Sequence, residues 1–596
     1  MLFRVLRALR HYPIRPAAFG VAMLLWAWLF DRFDSLHSVT RALLILGFAM
    51  LAIVTGVWVG RRLAPALSTG HWVSRRDDES QHAGGVATWL DVGERAGASA
   101  MRRKAAVLRP SLARRGRWRR RSVKLTSYAV PLIRTGWLPV GSTVWSSCED
   151  VTMRVGGPRT GKSGSLACHA LDAPGALIVT TSRTDLLDAT RDVRASRGRI
   201  DVFNPTGLGR LESTVRWSPL ARCWDLGTAQ RRAADLIPAS SGEAERWDTQ
   251  ARGLLAVLMH AAALSAGTMR TVLDWVSPAD VITRDQVLAA LQASPSSRAL
   301  SAEIRSIYGT NERTLTSITA TLLPAIRWLT DETAARVGDA ALTDPDFLDV
   351  EGLVSGGTDS LYLIGREGPC RPLIGALTAE VAHQVRMTAA ASPGGRLDPP
   401  MTALLDEAPL TCGPVPLHDW TADMGGRGLT LHIAAQSLAQ IRDVWGLDRA
   451  AAILGNTAAL LVFGGLKSSE DLERLSTLCG TRLVQLDPDD RRPIPVMTPA
   501  EISELPPGTA LLIRNALRPL VGQAPMIWDR QPSNLRRALA HLLESLGRAV
   551  AELGGHLRHR PVTVGRPAPA TRIEIVPPRR SIGPDAEPGS PASGGA

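Results

Sequence analysis

The sequence predicts an α/β core that is interrupted by an all-α insertion and preceded by an N-terminal transmembrane hairpin. Short apolar runs rich in β-branched residues, such as 176–181, end at polar loops, as buried parallel strands do. Between 228 and 341 such runs give way to alanine- and leucine-rich helical periodicity. Two long apolar segments lie near the N-terminus. We therefore expect an α/β core in two parts, 141–227 and 342–530, around an all-α domain at 228–341.

The N-terminal region, 1–62, is predicted to cross a membrane twice. The segment 42–60 has no charged residue and matches the ~20 apolar residues that a spanning helix needs. The segment 14–31 is a shorter candidate, and a cleaved signal peptide is the alternative for it, although no small-residue cleavage site follows. Arginines precede and follow the pair of segments, so the positive-inside rule places both termini, and the bulk of the chain, in the cytoplasm.

The positive charge of the chain lies next to this hairpin. The formal net charge is +13, an excess typical of proteins that bind nucleic acid or anionic membranes. Residues 1–124 contain 22 basic and 7 acidic residues, so the remaining chain is close to neutral. We therefore interpret 63–140 as a basic juxtamembrane region. Its most basic part, 102–124, could lie on lipid headgroups, contact DNA or form a solvated helix.

The six cysteines show no paired spacing. This pattern indicates neither a disulfide framework nor a metal site, and it is typical of a reducing compartment.

A glycine-rich loop joins a predicted strand at 151–155 to a predicted helix that begins at Ser163. Glycines allow successive backbone amides to point at phosphate groups, and the helix adds the positive end of its dipole. We expect Lys162 to reach the β- and γ-phosphates of ATP and the Ser163 hydroxyl to ligate Mg²⁺. Only four of the 69 basic residues are lysines, so a lysine at this position is a second indication. The predicted nucleotide-binding residues, which satisfy the G-x4-G-K-[ST] pattern, are Gly156, Gly157, Pro158, Arg159, Thr160, Gly161, Lys162 and Ser163, with Gly164 after them.

A second site is expected where the apolar strand 401–405 ends in Asp406 and Glu407. An acidic pair at the end of a buried strand is the Walker B arrangement of P-loop NTPases. Asp406 would hold the Mg²⁺ shell, and Glu407 would orient or deprotonate the attacking water. The long gap between Lys162 and Asp406 is explained by the helical insertion. The sequence thus predicts a P-loop NTPase core of the RecA-like type.

Two further residues are candidates for catalysis besides Lys162 and Glu407. Gln436 follows the predicted strand 429–434, where it could contact the γ-phosphate or simply cap the strand. Arg427 lies between two glycines and could reach the phosphate of a neighbouring subunit as an arginine finger. A plain surface role is the alternative for Arg427.

Taken together, the motifs resemble those of TraG/TraD-type coupling proteins of type IV secretion and bacterial conjugation. The resemblance covers roughly residues 10–520. The chain departs from the pattern at 408–410, which replaces a phenylalanine-containing run, and at Trp445, where a tyrosine is common. Neither departure touches the phosphate chemistry. Beyond the loop and the acidic pair, the motifs that carry the resemblance are 177–183, 202–205, 217–220, Trp247, 435–437, Gln440, Trp445 with Gly446, Asn456, and Cys479 with Gly480.

The resemblance implies a multi-pass protein of the bacterial inner membrane with its ATPase domain in the cytoplasm. Such a protein forms a homo-hexamer, uses ATP and Mg²⁺, and recruits a DNA–relaxase complex or an effector protein to the channel of a type IV secretion system. The hairpin and the basic juxtamembrane segment would contact membrane lipid. A double-strand DNA translocase of the FtsK type and a protein-only secretion ATPase are the alternatives. At the C-terminus we expect a helix at 531–559 and a disordered tail at 560–596, which is rich in Pro, Gly, Ser and Ala.

Overall fold

The structure is a computed structural model that describes residues 86–87, 91–113, 122–135, 143–240, 244–276, 281–355, 357–366, 368–487 and 490–530. All of these residues belong to one compact unit, which ends at Gln531. The expected hairpin at 14–31 and 42–60, the C-terminal helix at 531–559 and the tail at 560–596 lie outside the described residues. Within the described part of the chain, no helix combines the length and apolar character needed to cross a membrane.

One large mixed sheet organises the described residues. Its 11 strands follow the order β2-β1-β13-β12-β9-β3-β8-β7-β4-β6-β5, and β10 and β11 form a separate two-stranded sheet. The strands are β1 (Ala129–Arg134), β2 (Thr143–Ser147), β3 (Thr152–Val155), β4 (Leu177–Thr181), β5 (Ile200–Phe203), β6 (Ser360–Ile364), β7 (Met401–Leu405), β8 (Leu429–Ala435), β9 (Ala459–Phe463), β10 (Thr481–Asp487), β11 (Asp490–Pro495), β12 (Thr509–Arg514) and β13 (Leu517–Gln523).

The sheet has a parallel part and an antiparallel part. The strands from β9 through β3, β8, β7, β4 and β6 to β5 all pair in parallel. Strands β12, β13, β1 and β2 add to β9 by antiparallel pairing. Every residue of β4, β6, β7 and β9 is buried, as expected for parallel strands whose two faces are both covered. The predicted α/β class with a large parallel sheet is confirmed.

Helices connect these strands. They are α1 (Ala98–Leu108), α2 (Pro110–Ala113), α3 (Lys162–Asp172), α4 (Asp185–Ala195), α5 (Leu226–Leu236), α6 (Ala244–Leu264), α7 (Met269–Val276), α8 (Val281–Leu291), α9 (Ser297–Tyr308), α10 (Glu312–Ile326), α11 (Glu332–Gly338), α12 (Val350–Ser355), α13 (Arg371–Ala391), α14 (Ala408–Thr411), α15 (Leu417–Asp423), α16 (Leu438–Trp445), α17 (Leu447–Asn456), α18 (Ser469–Cys479), α19 (Pro499–Ser503) and α20 (Ile527–Arg530). Within the described residues from Leu226 to Gly338, the regular elements are the helices α5 to α11 and one 3₁₀ turn.

The helical segment is fixed to the core by a buried ion-pair cluster. Glu380 of α13 accepts from Arg232 of α5 at 2.8 Å and from Arg231. Arg232 also stacks on Trp217, with its guanidinium carbon 4.8 Å from the ring centroid. Since α13 leads towards β7, these contacts connect the first helix of the segment to the strand that carries the acidic pair.

Of the four antiparallel strands that extend the main sheet, β12 coincides with an apolar run at 510–513 that predicts a strand, whereas β1, β2 and β13 were not expected from the sequence. Strand β1 lies within 63–140, which we interpreted as a basic juxtamembrane region, yet five of its six residues are buried in the main sheet. Its sequence contains Pro131, which lowers the strand signal because proline cannot donate to a ladder. The register with β2 shifts next to this proline, and such an irregularity accommodates it. The sheet therefore begins at Ala129, before the expected boundary at 141.

Helix α1 also places part of the basic region on the core. Its buried residues Met101, Ala105 and Leu108 form an apolar cluster with Tyr128 and Cys148. Arg109, after the helix, pairs with Asp398. One face of the segment 102–113 is thus occupied by protein, while Arg102, Arg103 and Lys104 are exposed.

Candidate nucleotide-binding site

The site lies at the carboxyl edge of the parallel strands. Strand β3 ends at Val155 and leads into the glycine-rich loop, and α3 begins at Lys162. Strand β8 lies between β3 and β7. Because parallel strands end at the same edge, the loop after β3, the acidic pair after β7 and Gln436 after β8 meet there, at the usual position of a ligand site in such sheets.

The glycine-rich loop is closed around the ammonium group of its lysine. Lys162 Nζ donates to the carbonyl oxygens of Gly156 at 2.6 Å and Gly157 at 2.8 Å. Gly161 has φ 110° and Arg159 has φ 61°, a conformation that glycine adopts without strain but that costs energy at an arginine. Burial lowers the pKa of Lys162, and the nearby charges of Asp406 and Glu407 oppose that shift. The loop therefore holds a buried cation over a bend of backbone amides, the arrangement that phosphate binding requires.

Two glycine turns that sequence reasoning missed support the loop from outside. Gly157 N donates to Gly464 O at 3.0 Å, and Gly508 N donates to Thr160 O at 2.9 Å. A Cβ atom added to Gly157 would lie 2.5 Å from Gly465 O, so the two backbones are in direct contact. The signal in the sequence is the Gly464-Gly465 pair directly after β9, because paired glycines after a strand allow close backbone approach.

Ser163 and Asp406 lie side by side. Ser163 Oγ donates to Asp406 Oδ2 at 3.0 Å, and the carboxylate is buried. Burial, together with the nearby charge of Glu407, raises the pKa of Asp406 to about 7, although the hydrogen bond from Ser163 opposes the shift. A hydroxyl and a carboxylate oxygen at this separation are the protein ligands that Mg²⁺ uses when phosphates and water supply the rest of its octahedron. The residues present therefore fit a nucleotide-bound Mg²⁺.

Glu407 is held by two donors from neighbouring strands. Gln436 Nε2 donates to Glu407 Oε1 at 3.1 Å, and Ser182 Oγ donates to Oε2. Glu407 itself has φ 49° and ψ 45°, a left-handed conformation that is costly for a side-chain-bearing residue and that concentrates at functional sites. Ser182 directly follows β4, the neighbour of β7. The sequence contained the serine within 177–183, but without the strand order it gave no reason to link Ser182 to Glu407.

Arg427 lies at the other edge of the sheet. It lies two residues before β8, whose amino end is far from the edge where the loop lies, and its Nε donates to Asp423 Oδ2 at 2.7 Å. The structure therefore does not bring Arg427 to the nucleotide site of its own chain. Contact with the phosphate of a neighbouring subunit stays a prediction.

A buried polar cluster anchors the helix behind the loop. Arg154 of β3 is fully buried and donates to Ser165 of α3 at 3.4 Å and to Thr152 at 3.2 Å. It also contacts His169 of α3, whose ring stacks on His432 of β8 with centroids 4.5 Å apart. Burial lowers the pKa of Arg154 to about 10 and lowers the pKa of each histidine well below its usual value. The histidines are therefore neutral, and one buried cation connects β3 to α3, which in turn stacks on β8 through His169 and His432.

A comparison with protein-family models finds a match in the segment that contains the acidic pair. A protein-family model described as the TraM recognition site of TraD and TraG matches residues 400–507, the segment that contains Asp406, Glu407 and Gln436. No curated protein sequence matches the chain.

Among solved structures, the chain is similar to the bacterial conjugative coupling protein TrwBdeltaN70 in its unbound form. The TM-score is 0.50 and the identity 22%, over 63% of this chain and 85% of that chain. The TrwB complex with ADP and Mg²⁺ gives a TM-score of 0.51 and 21% identity, over 64% and 85% of the two chains. The TrwB complex with the non-hydrolysable GTP analogue GDPNP gives a TM-score of 0.50 and 22% identity. The fold is therefore that of TrwB, and together with the TraD and TraG segment it confirms that the chain resembles the TraG/TraD-type coupling proteins.

Proposed function

We propose that this protein is a coupling ATPase of conjugative DNA transfer. It binds ATP with Mg²⁺ and uses hydrolysis to drive a DNA–relaxase complex into a type IV secretion channel. The observation that carries the proposal is the assembly of Lys162, Ser163, Asp406, Glu407 and Gln436 at one edge of the sheet. This assembly combines a phosphate cradle, a pair of oxygen ligands for Mg²⁺ and an oriented carboxylate.

Each of these residues has a separate task in ATP hydrolysis. The loop amides and Lys162 bind and neutralise the β- and γ-phosphates. Ser163 and Asp406 would hold Mg²⁺, which would supply charge stabilisation at the phosphate oxygens. Glu407 orients the attacking water and takes its proton. Gln436 and Ser182 keep the Glu407 carboxylate in place through hydrogen bonds to its two oxygens.

Binding of ATP must first release Lys162 from the loop. Its ammonium group donates to Gly156 O and Gly157 O, and the phosphates would replace these carbonyl oxygens as partners. An exchange of one set of oxygen acceptors for a charged set favours the bound state, because hydrogen bonds between ionised groups are stronger than those to neutral carbonyls.

The cargo and the assembly rest on the relatives. The TrwB structures carry the description of a conjugative or plasmid coupling protein, and one contains ADP and Mg²⁺. The family segment at 400–507 is described as a TraM recognition site, which supports a relaxosome protein as partner. We propose a homo-hexamer in the inner membrane, held by the hairpin at 14–31 and 42–60, with the motor in the cytoplasm and with secretion-channel components and membrane lipid as further partners.

ATP hydrolysis by the full chain in detergent or nanodiscs tests the enzymatic part. Lys162→Ala should lower the rate about 100-fold or more, because it removes a preorganised cation at the transferring phosphate. Lys467→Ala is the matched control, since Lys467 is exposed and is not part of the phosphate-binding loop at 156–163. Equal rates for wild type and Lys162→Ala would refute the ATPase proposal.

DNA tests the cargo. Single- and double-stranded DNA should stimulate the wild-type rate, and Lys162→Ala should abolish conjugative transfer in donor cells. Stimulation by an effector protein and not by DNA would favour a protein-only secretion ATPase. Stimulation by double-stranded DNA alone, with transfer intact in the mutant, would favour a double-strand DNA translocase.

A C-terminal reporter tests the topology. With both predicted spans at 14–31 and 42–60 inserted, the C-terminus lies in the cytoplasm, so a fused reporter that functions only in the cytoplasm should be active. Activity of a reporter that functions outside the cytoplasm would contradict the proposed orientation.

A further inference from the structure

Trp528 is an exposed indole beside the phosphate-binding loop. It lies on α20, and 59% of the residue is exposed, although Met526 and Ile527 just before it are buried. The indole therefore presents a large flat apolar surface to solvent, with an N–H group as a polar handle. The proposed phosphate chemistry makes no use of this ring.

The ring of Trp528 rests on the first turn of α3. A Cβ atom added to Gly164 would lie 2.5 Å from Cζ3 and 2.9 Å from Cη2 of the indole. Gly164 has no positive φ, so its backbone conformation does not require glycine, whereas the closeness of the ring does. Gly164 directly follows Ser163, the proposed Mg²⁺ ligand. The indole therefore lies one residue beyond the phosphate site.

The segment that carries Trp528 is fixed along α3. Ala524 N donates to Gly508 O at 2.9 Å, and Gly508 in turn contacts the loop through Thr160 O. The Met526 methyl group lies 2.8 Å from the position of a Cβ on Gly161. At the far end, Arg530 Nη1 donates to Asp172 Oδ2 at 2.6 Å. Contacts at both ends of α3 thus hold the indole at a defined distance from the loop.

A nucleotide in this site must leave the loop past the first turn of α3. In the proposed complex its β- and γ-phosphates lie at Lys162 and Ser163, so the sugar and base would extend beyond Ser163, towards the first turn of α3 on which the Trp528 indole rests. The base is a flat aromatic group that has to find a partner outside the polar loop. Stacking on an aromatic side chain stabilises such a group by about 1–3 kcal/mol, and it tolerates different bases because each has a π-face.

We propose that Trp528 is the stacking platform for the purine base of the nucleotide. This inference rests on the proposed nucleotide binding and adds the residue that recognises the base. The indole contributes affinity for the nucleoside part only, because the phosphates contact the loop. Since stacking reads the flat face and not the edge of the base, ATP and GTP gain similarly from Trp528.

Equilibrium binding to the full chain tests the proposal, with ATP, GTP and inorganic tripolyphosphate as probes. Trp528→Ala should weaken ATP and GTP roughly 5- to 150-fold, the range of one base–aromatic stack, and leave tripolyphosphate unchanged. Trp528→Phe should restore most of the loss. Trp224→Ala is the matched control, because Trp224 is 53% exposed and lies before α5, outside the loop.

The outcomes separate this inference from the proposed function. If Lys162→Ala abolishes binding of all three probes while Trp528→Ala binds ATP as wild type does, the ATPase site stands and the stacking platform is wrong. If Trp528→Ala weakens ATP and tripolyphosphate equally, or changes the oligomeric state in parallel, Trp528 supports the loop or a subunit contact and the proposal is overturned. If wild type binds none of the probes, the proposed function itself fails.

Discussion

Removal of the Gln436 side chain should slow hydrolysis without weakening nucleotide binding. Gln436 Nε2 donates to Glu407 Oε1 at 3.1 Å, and the structure shows no hydrogen bond from this amide to the loop. Gln436→Ala leaves Ser182 as the other side-chain donor to the carboxylate. The carboxylate would then rotate away from the position that orients the attacking water.

The expected magnitude follows from the kind of bond that is lost. A hydrogen bond to a charged group contributes about 1.5–3 kcal/mol net, and the same increase in the activation barrier lowers kcat roughly 10- to 150-fold. The ATP dissociation constant should stay within about twofold, because Lys162 and Ser163 keep all their contacts. Gln384→Ala serves as the control, since Gln384 is a half-buried glutamine on α13 that contacts Thr388.

A double-mutant cycle with Glu407→Gln tests whether Gln436 acts through the carboxylate. Steady-state ATPase assays and ATP titrations on the four proteins give kcat and Kd for each corner of the cycle. If Gln436 is a positioning residue, Gln436→Ala has little further effect once Glu407 is replaced. An equal loss in both backgrounds would refute this reasoning and would indicate direct contact between Gln436 and the γ-phosphate.

Three further predictions concern the framework of the site. Asp471→Ala should lower the free energy of unfolding by about 3–5 kcal/mol, because Asp471 is fully buried and pairs with Arg442. The control is Glu470→Ala, at the exposed partner of the same arginine, which should cost less than about 1 kcal/mol. Equal losses of stability for the two variants, in thermal and denaturant unfolding, would contradict the greater contribution of the buried pair. Gly464→Ala should weaken ATP binding and lower the melting temperature, because its Cβ would lie 2.1 Å from Leu505 O. The control is Gly455→Ala in α17, where a Cβ meets nothing within 4 Å. That variant should be as stable as the wild type or slightly more stable. All six cysteines are buried, and burial raises the pKa of a thiol, to about 12 for Cys412. A thiol reagent at pH 8 should therefore react slowly with the native protein and should label all six thiols after unfolding. Rapid labelling of the folded chain would show that a thiol is accessible.

Most strands of the parallel part could be located from local patterns. Strand β7 has the bounds that its apolar run at 401–405 predicts, and β4 and β8 lie within one residue of theirs, since a strand buried on both faces leaves a continuous apolar signature. Strands β1 and β13 of the antiparallel part were missed for the opposite reason. Strand β1 contains a proline and an arginine, β13 has an exposed or half-buried first half, and these features weaken a local strand signal.

Strand direction decides where Arg427 lies. Gln436 follows β8 and Arg427 precedes it, so the two residues must lie at opposite edges of a parallel sheet. The sequence already placed both residues relative to the strand. The inference that Arg427 is remote from the loop of its own chain was therefore available from the sequence and from the parallel direction of the strands.

The sequence by itself determined the phosphate-binding loop, the acidic pair and the α/β class of this protein. These features are local, because a few consecutive residues set the bend of the loop and the end of a strand. Only the tertiary structure decided that β8 lies between β3 and β7, that Ser182 and Gln436 both hold Glu407, and that Trp528 rests on Gly164. Each of these contacts joins residues that are distant in the chain, and their distance is set by strand order and helix packing, which no local pattern of residues encodes.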